Sequence, residues 1–419
     1  MKIKNILLTN TLLILILSQT VLAKIVLFFA IPLVFLLKIN ILNKYALKTI
    51  LFLNILIITG FISGLIHIVK YDYYFFFRDI MYFLQVPFFI LIGMYLYSNI
   101  KNYLLLLQVI VLSSISVTIF KLFNLFLDPS LFLKLGLVTR YEYDLSNPTA
   151  LLVFAIILYA RKIGYKIFNN YIELLFLYLS LFSIIISFSR TSYVFLLITL
   201  IVPFIYRGKK IILLFFSSII MVLFIIFGGL ISNENTTYSQ GNTFQSKVIH
   251  SLDEMVIKNY TSTMEISHNW RGYEAYLGLT KYYTGNLLEI LFGHGYGSVV
   301  YTPYWVFQGQ QLNVLPFFHN GYITILLKTG LFGLLAFFIF LFTLLKTGMK
   351  ITKLATNNEQ KLIGMLLEVS VFIIIFRTIV IHGIFFTTTP LLLLILIGIS
   401  IQFSSLQISH SKRKLSNEK

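Results

Sequence analysis

The sequence predicts an all-α polytopic integral membrane protein of about 12 transmembrane helices with one large external loop. Three observations carry that prediction. The 419-residue chain is 58% hydrophobic and only 11% charged, so most of it cannot be solvated by water. It contains runs of about 20 apolar residues, the length at which a helix crosses a bilayer's hydrocarbon core. Runs such as "IILLFFSSIIMVLFIIFGGLI", residues 211–231, are apolar all round, whereas a helix on a soluble core keeps a polar face. The third observation is where the 33 Lys and Arg fall relative to the 15 Asp and Glu.

In chain order the expected spans lie near 5–22, 24–38, 49–68, 79–98, 103–126, 147–160, 171–188, 191–206, 211–231, 317–345, 362–381 and 384–403. Alternate connections then carry the bases. Lys2, Lys4, Lys38, Lys44, Lys48, Lys101, Arg161, Lys162, Lys166, Arg207, Lys209 and Lys210 fall on one side, followed by Lys346, Lys350, Lys353, Lys361, Lys412, Arg413, Lys414 and Lys419. These are 20 of the 33, and the positive-inside rule makes their side cytoplasmic, both termini included. Most acids fall opposite, among them Asp72, Asp79, Asp128, Glu142, Asp144, Glu254, Glu274 and Glu289. The net charge of +18 is therefore mainly topological, and no nucleic-acid partner is expected.

The first apolar segment is either a retained span or a cleaved secretory signal, since "MKIKN" precedes it and "TVLAK" follows. Retention keeps every basic loop on one side. The chain has no cysteine, which is compatible with an oxidising exterior. The expected organisation is helices 1–9 over 1–231, the large external loop with short helices over 232–316, helices 10–12 over 317–403 and a basic cytoplasmic tail over 404–419.

The 232–316 connection is about 85 residues long against a few residues elsewhere, and loops of that length are usually functional. Within it, "NWRGYEAYLGLTKYY" interleaves Trp270, Tyr273, Tyr276 and Leu277 with small residues, as a helix along the membrane surface does. "LFGHGYGS" follows as a glycine-rich turn. Where the loop re-enters the bilayer stands "FFHNGYITILLKTGLFGLL". On an ideal helix at 100° per residue, Gly330 lies about 20° and Gly333 about 40° from His319, so one face would carry the histidine above two glycines and pack closely on a neighbour. Lys328 falls on the opposite face and is expected to snorkel outward.

A His-Asn pair, nine intervening residues, glycine, two residues and another glycine, after a long external loop in a chain of about twelve spans, resembles the O-antigen polymerase and O-antigen ligase family. "ISFSRTSYVFLL" is similar to that family's Ser-x-Ser-Arg segment, "NWRGYEAYLGL" to its loop arginine before a helix, and "LFGHGYGS" to its Gly-x-Gly turn. The likeness runs in order over residues 140–335. It implies a bacterial cytoplasmic-membrane enzyme that transfers an undecaprenyl-diphosphate-linked oligosaccharide to an acceptor glycan on the outer face. Its partners would be the lipid-linked oligosaccharide, the acceptor glycan, a chain-length regulator and a flippase, and it would need no cofactor.

That chemistry can be set against the residues. Attack at the anomeric carbon expels a lipid diphosphate, whose growing charge needs preorganised cations, and guanidinium groups grip phosphate oxygens two at a time. The resemblance points to Arg190 and Arg271, and with less support to Arg140. The acceptor hydroxyl must lose a proton, and His319 suits a base. Asn320 stands beside it for substrate binding. Glu274, one turn after Arg271, either orients that arginine or is itself the base. Glu142 and Asp144 look like a pair of acids that could hold a divalent cation, but they follow the fifth span rather than the first, and a metal-independent reaction is expected. A lipid-linked glycan flippase is the rival from another class, with Lys121, Glu368 and Arg377 as its mid-membrane ionisable residues.

Overall fold

A computed structural model describes residues 44–127, 148–187, 190–205, 216–217, 219, 254, 256–302, 306–307, 310–311, 313–380, 382–385 and 391–417. Helix dominates them. The long helices are α1 (Lys44–Ile66), α2 (Tyr73–Ile100), α3 (Tyr103–Leu127), α4 (Pro148–Lys162), α5 (Asn170–Ile186) and α6 (Arg190–Ile205). Three short ones follow, α7 (Thr263–His268), α8 (Trp270–Tyr283) and α9 (Leu287–Phe292), and then α10 (Gly321–Lys353), α11 (Asn358–Val380) and α12 (Leu391–Asn417). Thr49–Ile66, Tyr73–Ile100, Tyr103–Phe120, Gly321–Lys353 and Asn358–Val380 are long and apolar enough to cross a membrane. Each falls on an expected span. The spans expected at 5–22 and 24–38, and most of that at 211–231, lie outside the described residues. Helix α12 continues through Asn417, so the segment expected as a tail carries on the helix.

Two short antiparallel pairs interrupt the helical pattern. Val300–Tyr301 (β1) pairs with Val314–Leu315 (β4), and Val306–Phe307 (β2) with Gln310–Gln311 (β3). Strands of two residues carry no alternation that the sequence could reveal.

The two ends of the bundle differ. At one end Tyr165 Oη donates to Glu359 Oε2 (3.2 Å) and Gln108 Nε2 to the Ile167 carbonyl (2.7 Å). The connections there carry Lys101, Arg161, Lys162, Lys353 and Lys361. At the other end a 3-10 turn, Ile68–Lys70, joins α1 to α2, and the described residues between 256 and 320 pack.

The glycine-rich turn is the wedge that holds this second end together. Ser63 Oγ donates to the Gly293 carbonyl, Tyr296 N to the Gly60 carbonyl (3.0 Å) and His294 N to the Leu327 carbonyl (2.8 Å). The turn thus sits between α1 and α10. It can do so because α10 is broken: Gly330 has φ 66° and ψ −168°, a conformation that glycine adopts without steric cost. A Cβ at Gly330 would lie 2.4 Å from both the Gly293 nitrogen and the Leu291 carbonyl oxygen.

This break corrects two expectations. His319 lies ahead of the helix and Gly330 is not helical, so the helical-wheel relation between them does not hold. Gly330 serves the turn's close approach, while a Cβ at Gly333 would meet Thr329 of its own helix. Lys328, expected to snorkel outward, is fully buried, because every residue of α10 from Gly321 to Gly330 is covered on all sides. Its Nζ donates to Asp79 Oδ2 of α2 (2.5 Å) and to the Ser298 carbonyl. Gly297 N donates to the same carboxylate oxygen (2.8 Å). A buried ammonium is tolerated when paired and hydrogen-bonded in this way.

Candidate active site

His319 and Glu274 meet where the segment 256–320 enters α10. Glu274 Oε2 accepts from the His319 backbone N–H (3.0 Å) and lies 2.7 Å from His319 Nδ1. A carboxylate accepts only, so Nδ1 donates to it, and in a neutral imidazole that tautomer leaves the lone pair on Nε2. The two side chains are 34% and 3% exposed. A reacting group can therefore reach the imidazole but not the carboxylate that orients it.

Local structure fixes both. Helix α8 buries Glu274 on one face together with Ala275, Gly278 and Leu279. Asn320 takes the N-cap of α10, its Oδ1 accepting from Tyr322 N (3.1 Å). It was expected to touch substrate, and its side-chain oxygen is engaged in this cap. Next, Tyr322 Oη donates to the Ile375 carbonyl (3.1 Å), tying α10 to α11.

The segment after α11 adds residues that the sequence analysis did not assign to the site. The His382 ring lies 4.8 Å from the His319 ring, centroid to centroid. His382 N donates to the His319 carbonyl (2.8 Å), and His382 Nδ1 donates to the Phe318 carbonyl (2.6 Å). Arg377, near the end of α11, donates from Nε to the Gly383 carbonyl (3.1 Å). Burial above all, with the charges of Arg377 and Arg271 adding to it, pushes His382 down to about 3. It is neutral near pH 7. Because its folded-state value is depressed, stability is lost progressively as pH falls from the ordinary histidine range toward about 3.

Arg271 lies one turn before Glu274 on α8, its Nη1 3.9 Å from Glu254 Oε2, and its charge reaches His382. Arg190 is the first residue of α6, which packs against α11. Arg140, Glu142 and Asp144 lie outside the described residues. The structure therefore gathers Arg271, Glu274, His319 and Asn320 at one end of the bundle and adds Arg377 and His382. The signal for the last two was "FRTIVIHG", an intramembrane arginine followed within six residues by histidine and glycine.

An open imidazole braced by a carboxylate, with the charges of Arg271 and Arg377 reaching the adjoining His382, suits proton removal beside a developing anion. Residues 175–338 match the family model described as O-Antigen ligase. That stretch is similar to an O-antigen ligase domain. Neither the curated proteins nor the solved structures yield a match. The matching stretch runs from within α5 through the broken part of α10 and so takes in Arg190, Arg271, Glu274, His319 and Gly330. Among the described residues, five helices long and apolar enough to cross a membrane accompany it.

Proposed function

We propose that the protein transfers an undecaprenyl-diphosphate-linked oligosaccharide to an acceptor glycan at the outer face of the membrane, polymerising repeat units. The observation that carries this reading is the Glu274–His319 pair with Nε2 open. His319 Nε2 takes the acceptor hydroxyl's proton as the oxygen attacks the anomeric carbon. The bond from that carbon to the diphosphate oxygen breaks, and the polyprenyl diphosphate leaves with the electron pair. Glu274 stabilises the imidazolium formed, and Arg271 and Arg190 offset the charge gathering on the leaving group. No step needs a metal.

Polymerisation uses lipid-linked glycan as both donor and acceptor, so one membrane-facing site can recognise both. Transfer to lipid A core is the second reading, favoured by the ligase description of the matching family. Purified protein given lipid-linked repeats and lipid A core as competing acceptors should yield a ladder of lengthened lipid-linked chains. Single additions to the core would favour ligation, and translocation with no change in chain length would defeat both.

The outer-face assignment rests on the basic end of the bundle lying opposite residues 256–320. In this cysteine-free chain, a cysteine at Ser239 should react with an impermeant thiol reagent on intact cells and one at Thr356 should not. The reverse pattern would invert the orientation.

A further inference from the structure

Arg78 lies in α2 beside the Asp79–Lys328 pair, and its guanidinium is held by aromatic rings. Its Cζ is 4.7 Å from the Phe75 centroid, 5.1 Å from that of Phe317 and 5.7 Å from that of Tyr74. Rings hold a cation by their faces but offer no lone pair to its N–H groups. Those donors are barely used. Nη2 is 3.4 Å from Asp79 Oδ1, and Nε is buried with no hydrogen-bond partner among the described residues. Asp79 is also already claimed, its Oδ2 accepting from Lys328 and Gly297. Two cations thus share one carboxylate, which leaves a net positive site with free donors.

Its position says which anion would come. Tyr73, Tyr74 and Phe77, around Arg78 on the first turns of α2, are 60%, 65% and 61% exposed, as side chains facing lipid at a membrane boundary are. Phe317, which touches Arg78 on the inner side, is two residues from His319. The arginine therefore stands between the lipid boundary and the imidazole. We propose that Arg78 binds the phosphate of the polyprenyl diphosphate as the donor enters sideways from the membrane. This rests on the reading above for the donor's identity, but concerns a residue that reading does not use. A fork of N–H groups in an aromatic cage suits a two-oxygen grip on phosphate, which an ammonium cannot reproduce.

The test uses the full chain in nanodiscs with farnesyl diphosphate as probe, read by thermal stabilisation. The wild type and His319→Ala should bind alike, Arg78→Gln at least about tenfold more weakly, and Arg78→Lys in between. In the transfer assay Arg78→Gln should raise the donor KM by a similar factor with kcat nearly kept. Wild-type affinity in both Arg78 variants would overturn the proposal, as would a wild type that binds no probe, or a loss confined to kcat. Phosphatidylglycerol displacing the probe as well as excess farnesyl diphosphate does would also overturn it, by making the site a general lipid-phosphate one. Arg78-dependent binding in a protein that lengthens no glycan would uphold this inference and defeat the transfer reading instead.

Discussion

Replacing His319 with alanine should remove glycan transfer while leaving the protein folded and inserted. General-base catalysis contributes roughly a hundredfold to ten-thousandfold in rate, and the side chain is one-third exposed, so little packing is lost with it. Glu274→Gln should be milder. The amide can still accept from His319 Nδ1 but no longer offsets the imidazolium's charge, so the rate should fall by about tenfold to a hundredfold. Both are read as rates of chain lengthening at saturating lipid-linked donor, with yield and melting temperature measured on the same preparations. A His319→Ala protein within tenfold of wild type would assign the base elsewhere.

Lys328→Met should have its effect on the fold. Asp79 has no exposed surface, and without its ammonium it is left with one backbone N–H and a distant guanidinium. Removing one partner of a buried pair typically costs about 3–5 kcal/mol, a large share of the roughly 5–15 kcal/mol that holds a domain folded. Little monodisperse protein should be recovered in detergent. Exchanging both residues, Asp79→Leu with Lys328→Met, should restore much of the yield, since a matched apolar pair leaves no uncompensated charge. If the single variant matched the wild type in yield and melting temperature, the pair would not be a structural tie.

These residues also mark how far the sequence could be read. The apolar runs gave the helices, and His319, Asn320 and Arg271 stood out through the family's spacing. Glu274 was visible as Arg271's neighbour one turn away. Its bond to His319 crosses 45 residues, and no local period encodes that. Lys328 was misjudged because a helical wheel carried through Gly330 assumes an unbroken helix with one face toward lipid. Gly330's φ of 66° and the turn packed against it remove both assumptions. Arg377 looked like a mid-membrane charge because nothing in α11's composition says that residues 382–385 fold back on His319. Arg78 and Asp79 drew no attention as a site because charges at the mouth of a span are common.

The glycine-rich turn has a consequence for how the protein is made. Ser63 waits 230 residues for Gly293, and Asp79 waits 249 for Lys328. Helices α1 and α2 therefore leave the ribosome long before the pieces that lock them, with an aspartate bound for the interior and, as yet, no lysine to meet it. Closing such long loops is slow relative to local helix formation. During synthesis the early helices must persist as a loose assembly in the bilayer, exposed to quality-control proteases. A chain halted before residue 290 would keep most of its apolar helices yet own neither the lock nor the histidine. Activity appears only with the last third of the polypeptide.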